Sequence, residues 1–256
     1  MKQMRRPLKV YLCAVMLTAL LAVLASLVAM PPTVTEHTAV LGALLAGLAS
    51  LSYLAPVKLA TKRAVVLTTS LETVAMLSMA PAAAAITMAL GTAIGNTYRR
   101  RRWFNVGFNA AQVALSIVSA GMLYRVLTPA GDTSPLTSVH GLTAFVPAAL
   151  LLYLVGTLAV DGAAAIQRRC SPFAGWLSVH GPELVPHGVL VTIGAVTAPA
   201  VESSPWLLLV AAASIAVIRW VLVTSLQLDA RTLARVEQLA DAAEAALQVR
   251  FSQLVP

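Results

Sequence analysis

Glu72 is the one acidic residue that falls deep within an apolar stretch of this chain. An ionised carboxylate in hydrocarbon is costly, so it must be protonated, paired or open to a wet cavity. Thr68, Thr69 and Met76 share its helix face by spacings of four, three and four residues. Two roles fit: a ligand or proton site, or a neutral carboxyl bonded to a neighbouring helix. A second polar group is the stripe Asn105, Asn109, Gln112 and Ser116, whose offsets of four, seven and eleven place all four on one face. Amides facing lipid would go unsatisfied, so this stripe points into a bundle. There it lines a polar cavity or bonds to other helices. Glu72 and the stripe are the ligand-binding candidates.

His180, Glu183 and His187 stand at helical offsets of three and seven. That is not the zinc metalloprotease spacing, in which two His flank a Glu at i and i+4. Pro182 and Pro186 break up the segment 170–187, whose Phe173, Trp176, Leu177 and Val179 suit a position in the headgroup region. No metal site is expected. Asp161-Gly162-Ala163-Ala164-Ala165 is similar to the opening of the CDP-alcohol phosphotransferase signature, which continues with an Arg and two further aspartates. Here Ile166 follows and the next Asp is Asp229, so that activity is excluded. No nucleophile elbow, phosphate-binding glycine loop or paired-acid arrangement occurs. The chain reads as non-enzymatic, with no catalytic residue and no cofactor.

These groups must be positioned by helices in a membrane. Charged residues make up 11% of the chain and hydrophobic residues 59%. A soluble domain carries about 25% charged residues, so that class is excluded. Eight apolar stretches are expected to span, at 8–30, 38–55, 64–80, 82–95, 104–126, 142–160, 184–200 and 205–226, since about 20 apolar residues cross the hydrocarbon core. The third and fourth are short and meet at Pro81. One long kinked helix would put Arg63 and the Arg99–Arg102 run on opposite sides, so a tight hairpin, not necessarily crossing fully, fits better. Small residues at four-residue spacing (Ala39, Ala43, Gly47; Ala83, Thr87, Gly91, Gly95) allow close helix packing.

Positive charge falls on every second loop. Lys2, Arg5, Arg6 and Lys9 precede the first stretch; Lys58, Lys62 and Arg63 follow the second, Arg99–Arg102 the fourth, and Arg168 and Arg169 the sixth. Arg231, Arg235 and Arg250 follow the eighth. The other loops carry Glu36, Asp132, His140 and Glu202, with only Arg125 near an edge. By the positive-inside rule both ends are cytoplasmic. The net charge of +8 is thereby assigned to membrane edges and anionic lipid headgroups, not to nucleic acid. Arg219 either snorkels to the cytoplasmic edge or pairs with Glu72. The first stretch is too long for a signal peptide's apolar region and is expected to be retained. Cys13 and Cys170 show no disulfide or metal spacing.

The fold expected is an all-α integral membrane protein: a bundle of about eight helices over residues 1–226, then a cytoplasmic linker helix over 227–256. In that helix Leu233, Val236, Ala240, Ala243 and Leu247 step by three, four, three and four, a short dimerising seam or the apolar side of an ordinary solvated helix. Leu233, Val236 and Leu247 are the relay candidates.

The segment from Arg100 through Trp103-Phe104 to Phe108-Asn109-Ala110-Ala111-Gln112 resembles bacterial MASE-type membrane-associated sensor domains. There a basic run and an aromatic pair lead to Phe-Asn-x-x-Gln at the start of a span; Arg102 stands where many members have Pro. Arg231-Thr232-Leu233 and Leu239 to Glu244 resemble the linker entering an HD-GYP or GGDEF output domain. The resemblance implies a sensor coupled to cyclic-di-GMP turnover in the bacterial inner membrane. The output motifs themselves do not occur, and Pro256 falls where an output domain would begin. A free-standing relative and a truncated product both remain open. The expected partners are membrane lipids, a second copy of the chain and a separate cytoplasmic output protein. The competing expectation is the substrate-binding membrane component of a vitamin-type transporter.

Overall fold

A computed structural model describes residues 6–54, 57–58, 64–65, 68–128, 139–171, 173, 176–210, 212–213 and 216–217. The elements are α1 (Arg6–Ala29), α2 (Glu36–Leu54), β1 (Val57–Lys58), β2 (Ala64–Val65), α3 (Thr69–Ser78), α4 (Pro81–Tyr98), α5 (Trp103–Leu127), α6 (Val139–Arg168) and α7 (Trp176–Ser203). Among the described residues β1 and β2 pair with each other, and the remaining elements are helical. Two compact units emerge: residues 1–56 with 65–211, which hold α1 to α7, and residues 57–64 with 212–256. The second unit lies mostly outside the described residues. So do Arg219 and the relay candidates Leu233, Val236 and Leu247.

Among the described residues five helices are long and apolar enough to cross a membrane: α1, α2, α5, α6 and the Glu183–Ser203 part of α7. The difference from eight lies in α3, α4 and the last stretch. The helix of α3 starts at Thr69, not Ala64, because Ala64–Val65 form β2 and pair with β1. With 10 residues it rises only about 15 Å, half the hydrocarbon core. Pro81 opens α4 in the first turn, where its missing N–H costs nothing. Asn96 and the glycines of α4 lower its hydropathy. Of the expected 205–226 span, only residues up to 217 are partly described.

A second correction concerns the segment 170–187. It is not interrupted at Pro182 and Pro186, because α7 is helical from Trp176 onward. Each proline removes one backbone donor, which a helix packed among others can absorb.

Side-chain pairings fix the helix directions. A Cβ at Gly42 would meet Thr87, one at Gly91 would meet Ala46, and one at Gly95 would meet Ser50 and Tyr53. The constant offset makes α2 and α4 parallel. Asn109 meets Asn96 and Gly121 meets Pro81, so α4 and α5 are antiparallel. Gly42 also faces Met79, while Tyr53 lies by Thr68, Glu72 and Thr92, so α3 and α4 form a hairpin turning at Met79-Ala80. Tyr11 donates to the Ala159 carbonyl at 3.0 Å, and Gly107 faces Met16. Successive helices thus alternate in direction. Lys9, the Arg99–Arg102 run and Arg168 gather at one end, while His37, Arg125 and Val201 lie at the other.

The core runs through α2 to α7, with Leu41, Leu45, Met76, Met88, Ile117 and Tyr124 fully buried. The α4 stripe packs against α2 as expected: at Gly91 a Cβ would stand 2.6 Å from the Ala46 carbonyl oxygen. On α2 the seam is Gly42, Ala46 and Ser50, and Gly47 has nothing within 4 Å. Ser50 ties the seam by donating to the Gly91 carbonyl at 2.9 Å.

Candidate functional site between helices α6 and α7

The ligand-binding candidates do not gather into one site. Glu72 sits on α3 and accepts a hydrogen bond from Thr68 Oγ1 at 2.8 Å, one turn back on the same face. Asn105 is exposed at the start of α5. Asn109 donates to Asn96 Oδ1 of α4 at 3.3 Å. Gln112 lies against Gly156 of α6, its Nε2 3.5 Å from where a Cβ would stand. Ser116 is buried and donates to Val113 of its own helix at 2.9 Å. Among the described residues no hydrogen bond joins Glu72 to the stripe. Of the stripe, Asn109 alone makes a hydrogen bond to another helix among the described residues.

The most concentrated polar chemistry lies elsewhere. His180 is buried on α7, with Nε2 2.6 Å from Asp161 Oδ2 of α6 and Nδ1 2.9 Å from Glu183 Oε2. The carboxylate side chains keep 20% and 25% of their exposure, so water reaches them while the ring is sealed. Both contacts form as hydrogen bonds only if the trio holds a shared proton, placed on the ring or on one carboxyl group.

Helix periodicity explains the arrangement. Trp176, His180, Glu183, His187 and Gly194 follow one another by four, three, four and seven residues, so one face of α7 carries them all. The Trp176 ring lies 5.1 Å from that of His180, tilted 35°. Tyr153 of α6 packs on His187 at 4.4 Å, and its hydroxyl reaches the His180 carbonyl oxygen at 3.5 Å. His187 Nδ1 is 3.5 Å from Thr69 Oγ1 of α3. Trp176 Nε1 and His187 Nε2 are buried without a hydrogen-bond partner. Gly194 lets α3 approach closely: its added Cβ would stand 2.6 Å from the Ser70 carbonyl oxygen. From α1, Tyr11 comes within electrostatic reach of Asp161.

Spacing on one helix singles out His180, Glu183 and His187, and the structure unites the first two. Their partner Asp161 sits 19 residues before His180, across a turn. An antiparallel hairpin centred near Cys170 pairs residues equidistant from that centre, as Asp161 with His180 and Tyr153 with His187. That symmetry is the signal by which Asp161 could be found. Among the described residues no group of three or more His, Cys, Asp or Glu is arranged to hold a metal ion. One imidazole bridging two carboxylates through opposite nitrogens leaves no common centre for one.

A cleft of about 380 Å³ opens at the other end of the bundle, lined mainly by apolar residues including Met30, Pro31, Val34, Met79 and Pro81. Arg125 lines it and donates from Nη2 to the Leu77 and Met79 carbonyls at 2.9 and 3.4 Å. This explains the one arginine that breaks the loop pattern: it closes the C-terminal end of α3, where free carbonyls attract a cation. Compared with known proteins, the chain matches no protein family, no curated protein and no solved structure.

Proposed function

We propose that this chain is a multi-pass sensor module of a bacterial cytoplasmic membrane, with both termini in the cytoplasm. It passes a signal through α7 and the segment after it to the C-terminal helix of a dimer, and from there to a cytoplasmic output protein of cyclic-di-GMP signalling. One observation carries the reading: buried His180 of α7 contacts Asp161 of α6 at 2.6 Å, and α7 is the helix from which the chain continues toward Leu233, Val236 and Leu247. A change at that contact changes how firmly α7 is held. Such a switch needs a stimulus that favours one arrangement over the other.

The orientation is supported by the gathering of Lys9, Arg99–Arg102 and Arg168 at one end, which the positive-inside rule makes cytoplasmic. Support for the sensor reading over a transport component comes from the polar groups, which bond helix to helix (Asn109 with Asn96, Asp161 with His180).

The test uses the full chain with Cys13→Ser, Cys170→Ser and Val236→Cys, reconstituted in lipid vesicles. Disulfide crosslinking at position 236 is expected to trap a dimer, with a yield that changes several-fold when His180→Gln is added. Monomer alone, or an unchanged yield, overturns the reading.

A further inference from the structure

We infer that the cleft at the end of the bundle opposite the basic loops binds an amphiphile: a single oxyanion, carboxylate or phosphodiester, carried on an apolar chain. Use of that occupant as a stimulus rests on the sensor reading above; its binding does not. Among the described residues Arg125 is the one charged residue that lines the cleft. A guanidinium presents N–H donors on all its nitrogens, and here only Nη2 is engaged, by the Leu77 and Met79 carbonyls at 2.9 and 3.4 Å. Nη1 and Nε make no hydrogen bond among the described residues, and none of the described ion pairs includes Arg125. Such a fork matches the two oxygens of one oxyanion. The carbonyls hold it in place before a ligand arrives, which lowers the cost of binding. Ser78, between the two residues whose carbonyls Arg125 holds, lines the same cleft, with its Oγ buried and without a hydrogen-bond partner. A buried hydroxyl left without a partner is costly, and an oxyanion on Arg125 can accept from it.

The rest of the wall suits an apolar chain. Met30, Pro32 and Val34 reach it from the connection between α1 and α2, and Met79 and Pro81 from the turn between α3 and α4. Val34 is 82% exposed, so a chain lying on it removes apolar surface from water. One cation faces one negative charge. A phosphomonoester would bring a second charge with no partner in a partly apolar place, which is unfavourable. The volume of about 380 Å³ lies within the usual range of small-molecule sites, roughly 300 to 1,000 Å³. At about 30 Å³ for each atom the size of a water, it holds about a dozen non-hydrogen atoms. That matches a carboxylate of about ten carbons, or a lipid phosphodiester with the start of its chains.

The experiment uses the full chain in dodecylmaltoside micelles and a decanoate analogue with a terminal diazirine, the labelled residues being mapped by mass spectrometry. Photolabelling is expected within 30–39 and 78–83, the segments that line the cleft. Excess decanoate should suppress it, whereas decanol, with the same chain and no charge, should not. Suppression by phosphatidylglycerol at a lower concentration than decanoate assigns the head to a lipid phosphodiester; the reverse order assigns it to a free carboxylate. Ser78→Ala should weaken the competition about fivefold, and Arg125→Lys about tenfold. Ala39→Trp fills the cleft from an exposed position and leaves the guanidinium in place, so it should abolish the labelling and keeps the test sound if the lysine variant fails to fold. Labelling spread along all the helices, equal suppression by decanol, or labelling unaltered in Ala39→Trp and Ser78→Ala overturns the site. Labelling at the cleft, with crosslinking at position 236 unchanged by decanoate, supports the site and overturns its use as the stimulus.

Discussion

Removing Asp161 should cost stability only while His180 is present. In the intact protein Asp161→Ala deletes a charge-assisted contact of 2.6 Å to a ring that is 7% exposed. Contacts of this kind contribute about 2 to 3 kcal/mol when the partner left behind is buried. Alanine returns about 0.5 kcal/mol of helix propensity within α6, so the net loss should be about 1.5 to 2.5 kcal/mol. In a His180→Ala background the sign changes. There Asp161 and Glu183 face each other without the ring between them, and deleting one carboxylate relieves repulsion. Asp161→Ala should then be neutral or stabilising, giving a coupling energy of about 2 kcal/mol for the cycle. The assay is reversible unfolding of the four proteins in mixed micelles with increasing dodecyl sulfate, followed by far-ultraviolet circular dichroism. If Asp161→Ala costs the same in both backgrounds within about 0.5 kcal/mol, the two residues are energetically independent and the cluster is only a coincidence of packing.

Glycine replacements should separate the seam from its surroundings. Gly91→Ala places a methyl group 2.6 Å from the Ala46 carbonyl oxygen and 2.9 Å from the Ala49 Cβ, so α2 and α4 must part, at about 1 to 3 kcal/mol in the same titration. Gly47→Ala meets nothing within 4 Å and should stabilise by up to about 1 kcal/mol; equal losses at both sites would contradict the packing. Arg125→Ala removes both donations to the end of α3 and should cost about 1 to 2 kcal/mol, with Arg125→Lys recovering part of it. A full recovery by lysine would mean that charge alone matters. Glu72→Gln keeps an oxygen for Thr68 and Asn109→Ala loses one interhelical bond, so each should change stability by less than about 1 kcal/mol. A larger loss at Glu72 would assign that carboxyl a further partner.

Hydropathy and loop charge made α1, α2, α5 and α6 legible to within a few residues at most ends, because a helix in lipid must be apolar along its whole length. Asp161 escaped for the same reason. It stands past the apolar stretch ending at Val160, so a window that counts hydrophobic residues stops before it, although α6 continues to Arg168. The start of α7 was hidden by Pro182 and Pro186, which break isolated helices but are absorbed in one packed against two neighbours. Periodicity put Asn105, Asn109, Gln112 and Ser116 on one face; Ser116 is buried, Asn109 and Gln112 are half-buried, and Asn105 is exposed. It could not distinguish a cavity from an interhelical bond, since both demand the same face. The interhelical pair Asn109 with Asn96 depends on the antiparallel run of α4 and α5, which no single-helix pattern contains.

The arginine that closes α3 has a consequence for biosynthesis. An element of 10 residues is too short to partition into the bilayer alone, and its terminal carbonyls find Arg125 only from a helix made 48 residues later. Its flank waits longer still, for Gly194 to arrive on α7. The contacts of α3 are therefore expected to be completed by segments made after it. A chain halted after α4 should leave residues 69–78 open to protease and to water-soluble thiol reagents, and one extended past Ser203 should close them.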